Sequence, residues 1–294
     1  MRTILKIIIS FFSAWALFAQ DLPPCPPLTP GATLLLTNSL GTGTFIRSLR
    51  HEQLTSTLTM TPFMNINNLY ANKNLKISGE QKINFNWLQP QDAKASNSKI
   101  FVLSDFIGRI TLKDAFLWEN MGLSLTPSIE VEAPVSQASR DSKRYLGLGT
   151  AWSFAWALNG FSLSYKPLVT GFINGSCAGC ASGIRQTRIM LKNTVIAKYT
   201  NANHSIGATF RLYDAFLHPL ASDAQASKLN ESTLGIIEYS YAIPMRFPVA
   251  LTLGVSSFQP SRNSQGIINF PFFDFLTPAN NYSQIYFEME LALS

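Results

Sequence analysis

Large and small residues alternate through Tyr145–Tyr165. Even positions hold Leu146, Leu148, Thr150, Trp152, Phe154, Trp156 and Leu158. Odd positions hold Gly147, Gly149, Ala151, Ser153, Ala155 and Ala157. After Asn159-Gly160 the alternation restarts, with Phe161, Leu163 and Tyr165 against Ser162, Ser164 and Lys166. Successive side chains of a strand point to opposite faces, and Asn-Gly suits the turn that matches strand twist, so this stretch predicts a β-hairpin with one heavy apolar face.

The same period runs through most of the chain. Leu54, Leu58, Met60 and Met64 oppose Gln53, Thr55, Thr57, Thr59 and Thr61. Leu75, Ile77, Ile83, Phe85 and Trp87 oppose Lys76, Ser78, Glu80, Lys82, Asn84 and Asn86. Phe106, Ile110 and Leu112 oppose Arg109, Thr111 and Lys113, and Leu123, Leu125, Ile129 and Val131 oppose Ser124, Thr126, Ser128, Glu130 and Glu132. Later runs set Val195 and Tyr199 against Thr194 and Lys198, Phe210 against Arg211, Tyr239 and Tyr241 against Glu238 and Ser240, and Leu253 against Thr252 and Gly254. The last sets Ile285, Phe287, Met289 and Leu291 against Tyr286, Glu288, Glu290 and Ala292. This gives eleven strands of about 9 to 14 residues. Soluble strands run to roughly 5–6, while roughly 9–11 cross a bilayer at a tilt. A helical period competes only over 113–121.

Three features favour lipid over a protein core as the partner of the apolar face. The opposite face carries Ser, Thr, Gly and Ala with scattered charges, which suits the inside of a barrel. Connectors alternate in length: 159–160, 201–203 and 244–248 are short, whereas 88–102, 134–144, 174–187, 214–230 and 258–281 are long. Trp87, Trp152, Trp156, Tyr239, Tyr241 and Phe287 all fall on apolar faces, with Phe154 among them, and are read as lipid-facing. If short turns lie on the periplasmic side, the 53–64 strand runs inward and one outward strand precedes it. Residues 31–49 are the only candidate, which makes twelve strands, an even number as closed single-chain barrels require. Ten strands is the alternative. The expected fold class is an all-β, antiparallel, up-and-down transmembrane barrel over 31–294.

Composition agrees. Only 14% of residues are charged, against roughly 25% in soluble domains. Met1–Ala19 carries Arg2 and Lys6 before an apolar run and reads as a cleaved secretory signal, with a Pro-rich tether over 20–30. Loss of Arg2 and Lys6 lowers the formal charge from +6 to +4. No basic run marks a nucleic-acid partner. Cys177 and Cys180 read as a local loop disulfide, and Cys25 is left over.

Catalytic groups are sparse. His51, His204 and His218 are the only histidines, and His218 lies near Asp214 and Asp223. An outer-membrane hydrolase is the weaker alternative; no cofactor and no metal site is expected. The lumen-facing charges carry more information: Lys76, Lys82, Arg109, Lys113, Lys166, Arg188, Lys192, Lys198 and Arg211 are basic, and Glu80, Glu130, Glu132, Glu238, Glu288 and Glu290 are acidic. Two outcomes follow. The groups pair and plug a narrow barrel, or they set a transverse field in a water-filled pore.

The signal, the strands and the apolar C-terminal strand resemble a Gram-negative outer-membrane β-barrel. Within VEAPVSQASRDSKRYLGLGTAWSF, residues 131–154, a strand ends at Pro134, a polar loop follows and a Gly-x-Gly strand begins. That order resembles the transporter-like barrels of the phenol meta-pathway type. The resemblance implies outer-membrane lipid and the barrel-insertion machinery as partners, and passage of small solutes as the function. The chain departs from the usual assembly signal by ending Leu291-Ala292-Leu293-Ser294 rather than in an aromatic.

Overall fold

The computed structural model describes residues 28–41, 54–70, 73–88, 101–175, 186–217, 229–245, 247–260 and 282–293. They form one closed antiparallel sheet. Its wall strands are β1 (Leu28–Gly41), β2 (Leu54–Tyr70), β3 (Lys73–Leu88), β5 (Phe106–Lys113), β7 (Leu123–Ala133) and β8 (Arg144–Leu158). The other six are β9 (Phe161–Asn174), β10 (Thr187–Asn201), β11 (His204–Leu217), β12 (Leu229–Ile243), β13 (Val249–Pro260) and β14 (Tyr282–Leu293). Two three-residue strands, β4 (Phe101–Leu103) and β6 (Phe116–Trp118), extend β3 and β7 at their edges. The barrel thus has the expected twelve strands, each paired with its sequence neighbour. Pairing of β1 with β14, from Ala32↔Leu293 to Gly41↔Gln284, closes it.

β1 begins at Leu28, earlier than residue 31, inside the stretch read as a tether. Residues 28–31 pair with β2 alone, because the β14 ladder ends at Ala32. Pro30 therefore sits where one strand edge is unpaired, the position in a sheet that tolerates a missing N–H. The region 113–121 holds no α-helix. β5 ends at Lys113, β6 follows, and a single 3-10 turn spans Glu119–Met121.

Connector lengths alternate around the whole barrel. At one end β2–β3, β8–β9 and β10–β11 are joined by two residues each, β12–β13 by five and β5–β7 by nine that include β6. At the other end the links run from ten residues between β7 and β8 to twenty-one between β13 and β14. Between β8 and β9, Asn159 and Gly160 have φ of 48° and 80°, the two positive values of a type I′ turn.

The faces separate as the alternation predicts. Ile129 is 60% exposed, Leu253 57% and Trp87 58% on the outer face. Trp152, Phe154, Tyr239 and Phe287 are also exposed there. Trp156 and Tyr241 are only half exposed, because Trp156 meets Phe161 edge-on at 5.9 Å and Tyr241 lies 4.9 Å from the His204 ring.

A Cβ on Gly160 would come 2.5 Å from the Thr200 carbonyl oxygen, at a φ that L-residues avoid. Gly160→Ala should therefore lower barrel stability by about 1–2 kcal/mol. The check is the midpoint of heat-modifiable migration on gels; an unchanged midpoint would mean the turn is not built this way.

Candidate functional site

The inward faces line a charged lumen. A cavity of about 360 Å³ lies against β5 and β7–β11, lined among others by Arg109, Ser128, Glu130, Lys166, Lys192, Thr194 and Arg211. Sequence periodicity placed these charges on one face, and cross-strand register decides how they meet. Arg109 and Glu130 are Cα partners, and Arg109 Nε lies 2.6 Å from Glu130 Oε1. Lys82 pairs with Glu80 at 3.0 Å on the same strand. Lys166, Lys192 and Arg211 have no carboxylate within ion-pair distance among the described residues. Arg211 instead donates from Nε to Thr194 Oγ1 at 3.2 Å and from Nη1 to the Tyr213 hydroxyl at 2.9 Å. The Tyr213 ring also faces Lys192 Nζ at 5.9 Å.

The acidic wall lies on β12 and β14. Tyr286 donates its hydroxyl to Glu238 at 2.8 Å, and Thr37 donates to Glu288 at 2.9 Å. Glycine makes the first contact possible: a Cβ on Gly254 would sit 2.4 Å from the Tyr286 ring, and one on Gly207 3.2 Å from Glu238. Glu290 is on the same inward face, opposite Leu35. The remaining predicted charges are placed as follows. Lys76 Nζ lies 4.2 Å over the Phe63 ring, Lys113 ends β5 opposite Asn74, and Lys198 opposes Gly207 and Ser162. Arg188 is exposed and lies at a register shift between Thr187 and Ile189.

A second polar cluster lies at the long-loop end, where the sequence offered only a loop over 134–144. Ser136 caps a one-turn helix, α1 (Gln137–Asp141), through a bond from the Ser139 amide to its Oγ at 3.1 Å. Asp105, in the break between β4 and β5, accepts from the Ser136 amide at 2.8 Å and from the Ser139 hydroxyl. Arg144 bonds Glu132 at 2.9 Å, approaches Asp105 at 3.7 Å and stacks 4.1 Å over Phe172. Gln186 donates to the Ser142 carbonyl at 2.7 Å. The Ser-x-x-Ser spacing was a capping signal; the Asp105 partner, 31 residues upstream, had none.

Among the described residues, the other candidates do not assemble into a catalytic site. His204 Nδ1 lies 2.6 Å from the Tyr239 hydroxyl at a short turn. Asp214 points outward, opposite Glu231. His51, His218, Asp223, Cys25, Cys177 and Cys180 fall outside the described residues. No cluster of three metal-ligating side chains occurs among the described residues.

No family model and no curated protein matches the chain. Among solved structures it resembles an outer-membrane channel from Pseudomonas putida F1, at 10% identity and a TM-score of 0.60, over 93% of this chain and 98% of that one. Pseudomonas aeruginosa OccK7 (OpdD) is more distant, at 6% identity and a TM-score of 0.40, over 90% of this chain and 99% of that one. The first likeness establishes a shared fold, the closed β-barrel.

Burial acts to raise the Asp105 carboxyl pKa, but the hydrogen bonds from Ser139 and Ser136 outweigh it and hold it below the usual range. A depressed carboxylate stabilises the fold above its unfolded-state pKa, near about 3.9, and that contribution disappears as pH falls through the lower folded value. Hydrogen exchange at the Ser139 amide should therefore accelerate in that acid window. Asp105→Asn should bring faster exchange at neutral pH and remove the acid dependence; an unaltered profile would separate Asp105 from α1.

Proposed function

We propose that this protein is an outer-membrane channel through which small solutes pass passively or by facilitated diffusion. The observation that carries the reading is the division of the closed barrel into two surfaces. The outer surface exposes aliphatic side chains such as Ile129, Leu148, Val169 and Leu253 around the middle of the wall. Aromatics gather at its ends, with Trp118, Phe161, Tyr199 and Tyr239 near the short turns and Trp87, Phe101 and Tyr145 near the long loops. An exposed apolar belt of this extent is foreign to soluble monomers, and its aromatic borders suit the two lipid interfaces. The inner surface is polar and bounds a cavity. The shared fold with the Pseudomonas putida channel supports the same conclusion.

In this reading Met1–Ala19 directs export and is removed, the short turns face the periplasm, and the insertion machinery places the barrel in the outer membrane. On this reading the barrel acts as a channel and not as an enzyme. A second reading, a plugged barrel acting through its loops, draws support from Tyr286 lying across Gly254 and from the Arg109–Glu130 pair filling lumen space.

Single-channel recording in planar bilayers separates the two. Discrete openings are expected, and silence from a correctly folded, heat-modifiable barrel would favour the plug. Trp152→Arg or Phe154→Arg should each impair membrane insertion by about 2–4 kcal/mol near the midplane, read from folding titrations in vesicles. Lys192→Glu should leave folding intact and shift ion selectivity; loss of folding instead would assign Lys192 a structural role.

A further inference from the structure

Lys166, Lys192 and Arg211 stand on three adjacent strands around one residue. Thr194 on β10 has Lys166 of β9 and Arg211 of β11 as its Cα partners, and Lys192 is two positions along the same face. With strands about 4.8 Å apart and about 3.3 Å of rise per residue, the three backbone positions fall within about 10 Å of each other. Like charges in such neighbouring positions destabilise a sheet. The nearby carboxylate, Glu130, is already engaged by Arg109 at 2.6 Å. The cavity wall therefore holds three cations beyond its internal ion pair, and no bond among the described residues neutralises them.

We propose that this cavity is a binding site for a small oxyanion carrying two or more negative charges, placed along the route that solutes take. The inference rests on the channel reading above. Its volume of about 360 Å³ is at the small end of the roughly 300–1,000 Å³ typical of ligand pockets, so the ligand is compact. A monovalent halide would answer only one of the three cations. A dicarboxylate or a phosphate answers more of them, and its planar or tetrahedral oxygens suit a guanidinium. Two of the Arg211 nitrogens are held by Thr194 and Tyr213. These bonds fix the group's orientation and leave N–H groups for a ligand. Hydroxyls of Thr111, Thr126, Ser128 and Ser153 line the same space and supply further donors. Glu238 and Glu288 lie on β12 and β14, the part of the wall that adjoins β11, so an anion in the lumen is drawn away from them to the β9–β11 side.

The test uses the full-length protein in planar bilayers under a potassium chloride gradient, with succinate, inorganic phosphate or glucose added to one side. The reversal potential should show anion preference. Succinate and phosphate should reduce the chloride current at concentrations where glucose does not, and their relative strength distinguishes a carboxylate site from a phosphate site. The triple variant Lys166→Gln, Lys192→Gln, Arg211→Gln should weaken this block by about tenfold or more, the loss expected for removing charge-assisted hydrogen bonds. Open channels that prefer cations, or that ignore both dianions, would overturn the site and leave the channel reading standing. If the folded protein conducts nothing, calorimetry in detergent decides. Succinate or phosphate binding that the triple variant loses would keep the site while the channel reading fails, and no binding to the native chain would overturn the site as well.

Discussion

Closure of the sheet is the constraint on which everything else rests. β1 and β14 are separated by almost the whole chain, yet they share an unbroken ladder from Ala32↔Leu293 to Gly41↔Gln284. Without that ladder two strand edges would present unpaired N–H and C=O groups, which hydrocarbon cannot satisfy and which invite pairing with another chain. With it, each strand has two partners and each side chain must face either outward or inward. A one-residue slip in any pair would exchange the two sets along a strand, setting Lys192 and Lys198 outward and Val195 and Tyr199 inward. Closure and the period of two thus enforce each other.

The same constraint explains the use of small residues inside. A twelve-stranded wall leaves a narrow lumen, and large inward groups fit only where a neighbouring strand yields space. Tyr286 lies over Gly254 and reaches Glu238, which in turn lies beside Gly207. Gly147 admits Phe172, whose ring then carries the Arg144 guanidinium near the long-loop end. Charge is sorted on this frame into a basic wall on β9–β11 and an acidic wall on β12 and β14. The central Arg109–Glu130 pair leaves the basic side in excess.

Much of this was legible in the sequence because period two is a local signal. The alternation in Tyr145–Tyr165 and the Asn159-Gly160 turn were readable without knowing any partner strand. The parity of connector lengths then counted twelve strands, including one before residue 53 that alternation alone left ambiguous. Contacts that depend on register were not legible. Nothing local distinguishes Arg109, which finds Glu130, from Arg211, which finds Thr194 and Tyr213. Arg188 sits at a register shift between Thr187 and Ile189, and such irregularities leave little mark in composition. The Asp105–Ser139 bond joins a strand break to a one-turn helix, and neither had a periodic signature. Trp156 and Tyr241 follow the alternation, but their cover by Phe161 and His204 comes from neighbouring strands.

The central claim is that one face of each strand meets lipid and the other meets a watery lumen. A nitroxide scan along β10 from position 190 to 199, in a background with Cys25, Cys177 and Cys180 replaced by Ser and the barrel in vesicles, measures this directly. Collision with oxygen, which concentrates in lipid, should peak at Leu191, Val195 and Tyr199. Collision with a water-soluble nickel complex should peak at Lys192, Thr194 and Lys198. The two profiles should therefore alternate out of phase with a period of two. Profiles that rise and fall together, or even positions that neither reagent reaches, would contradict the account.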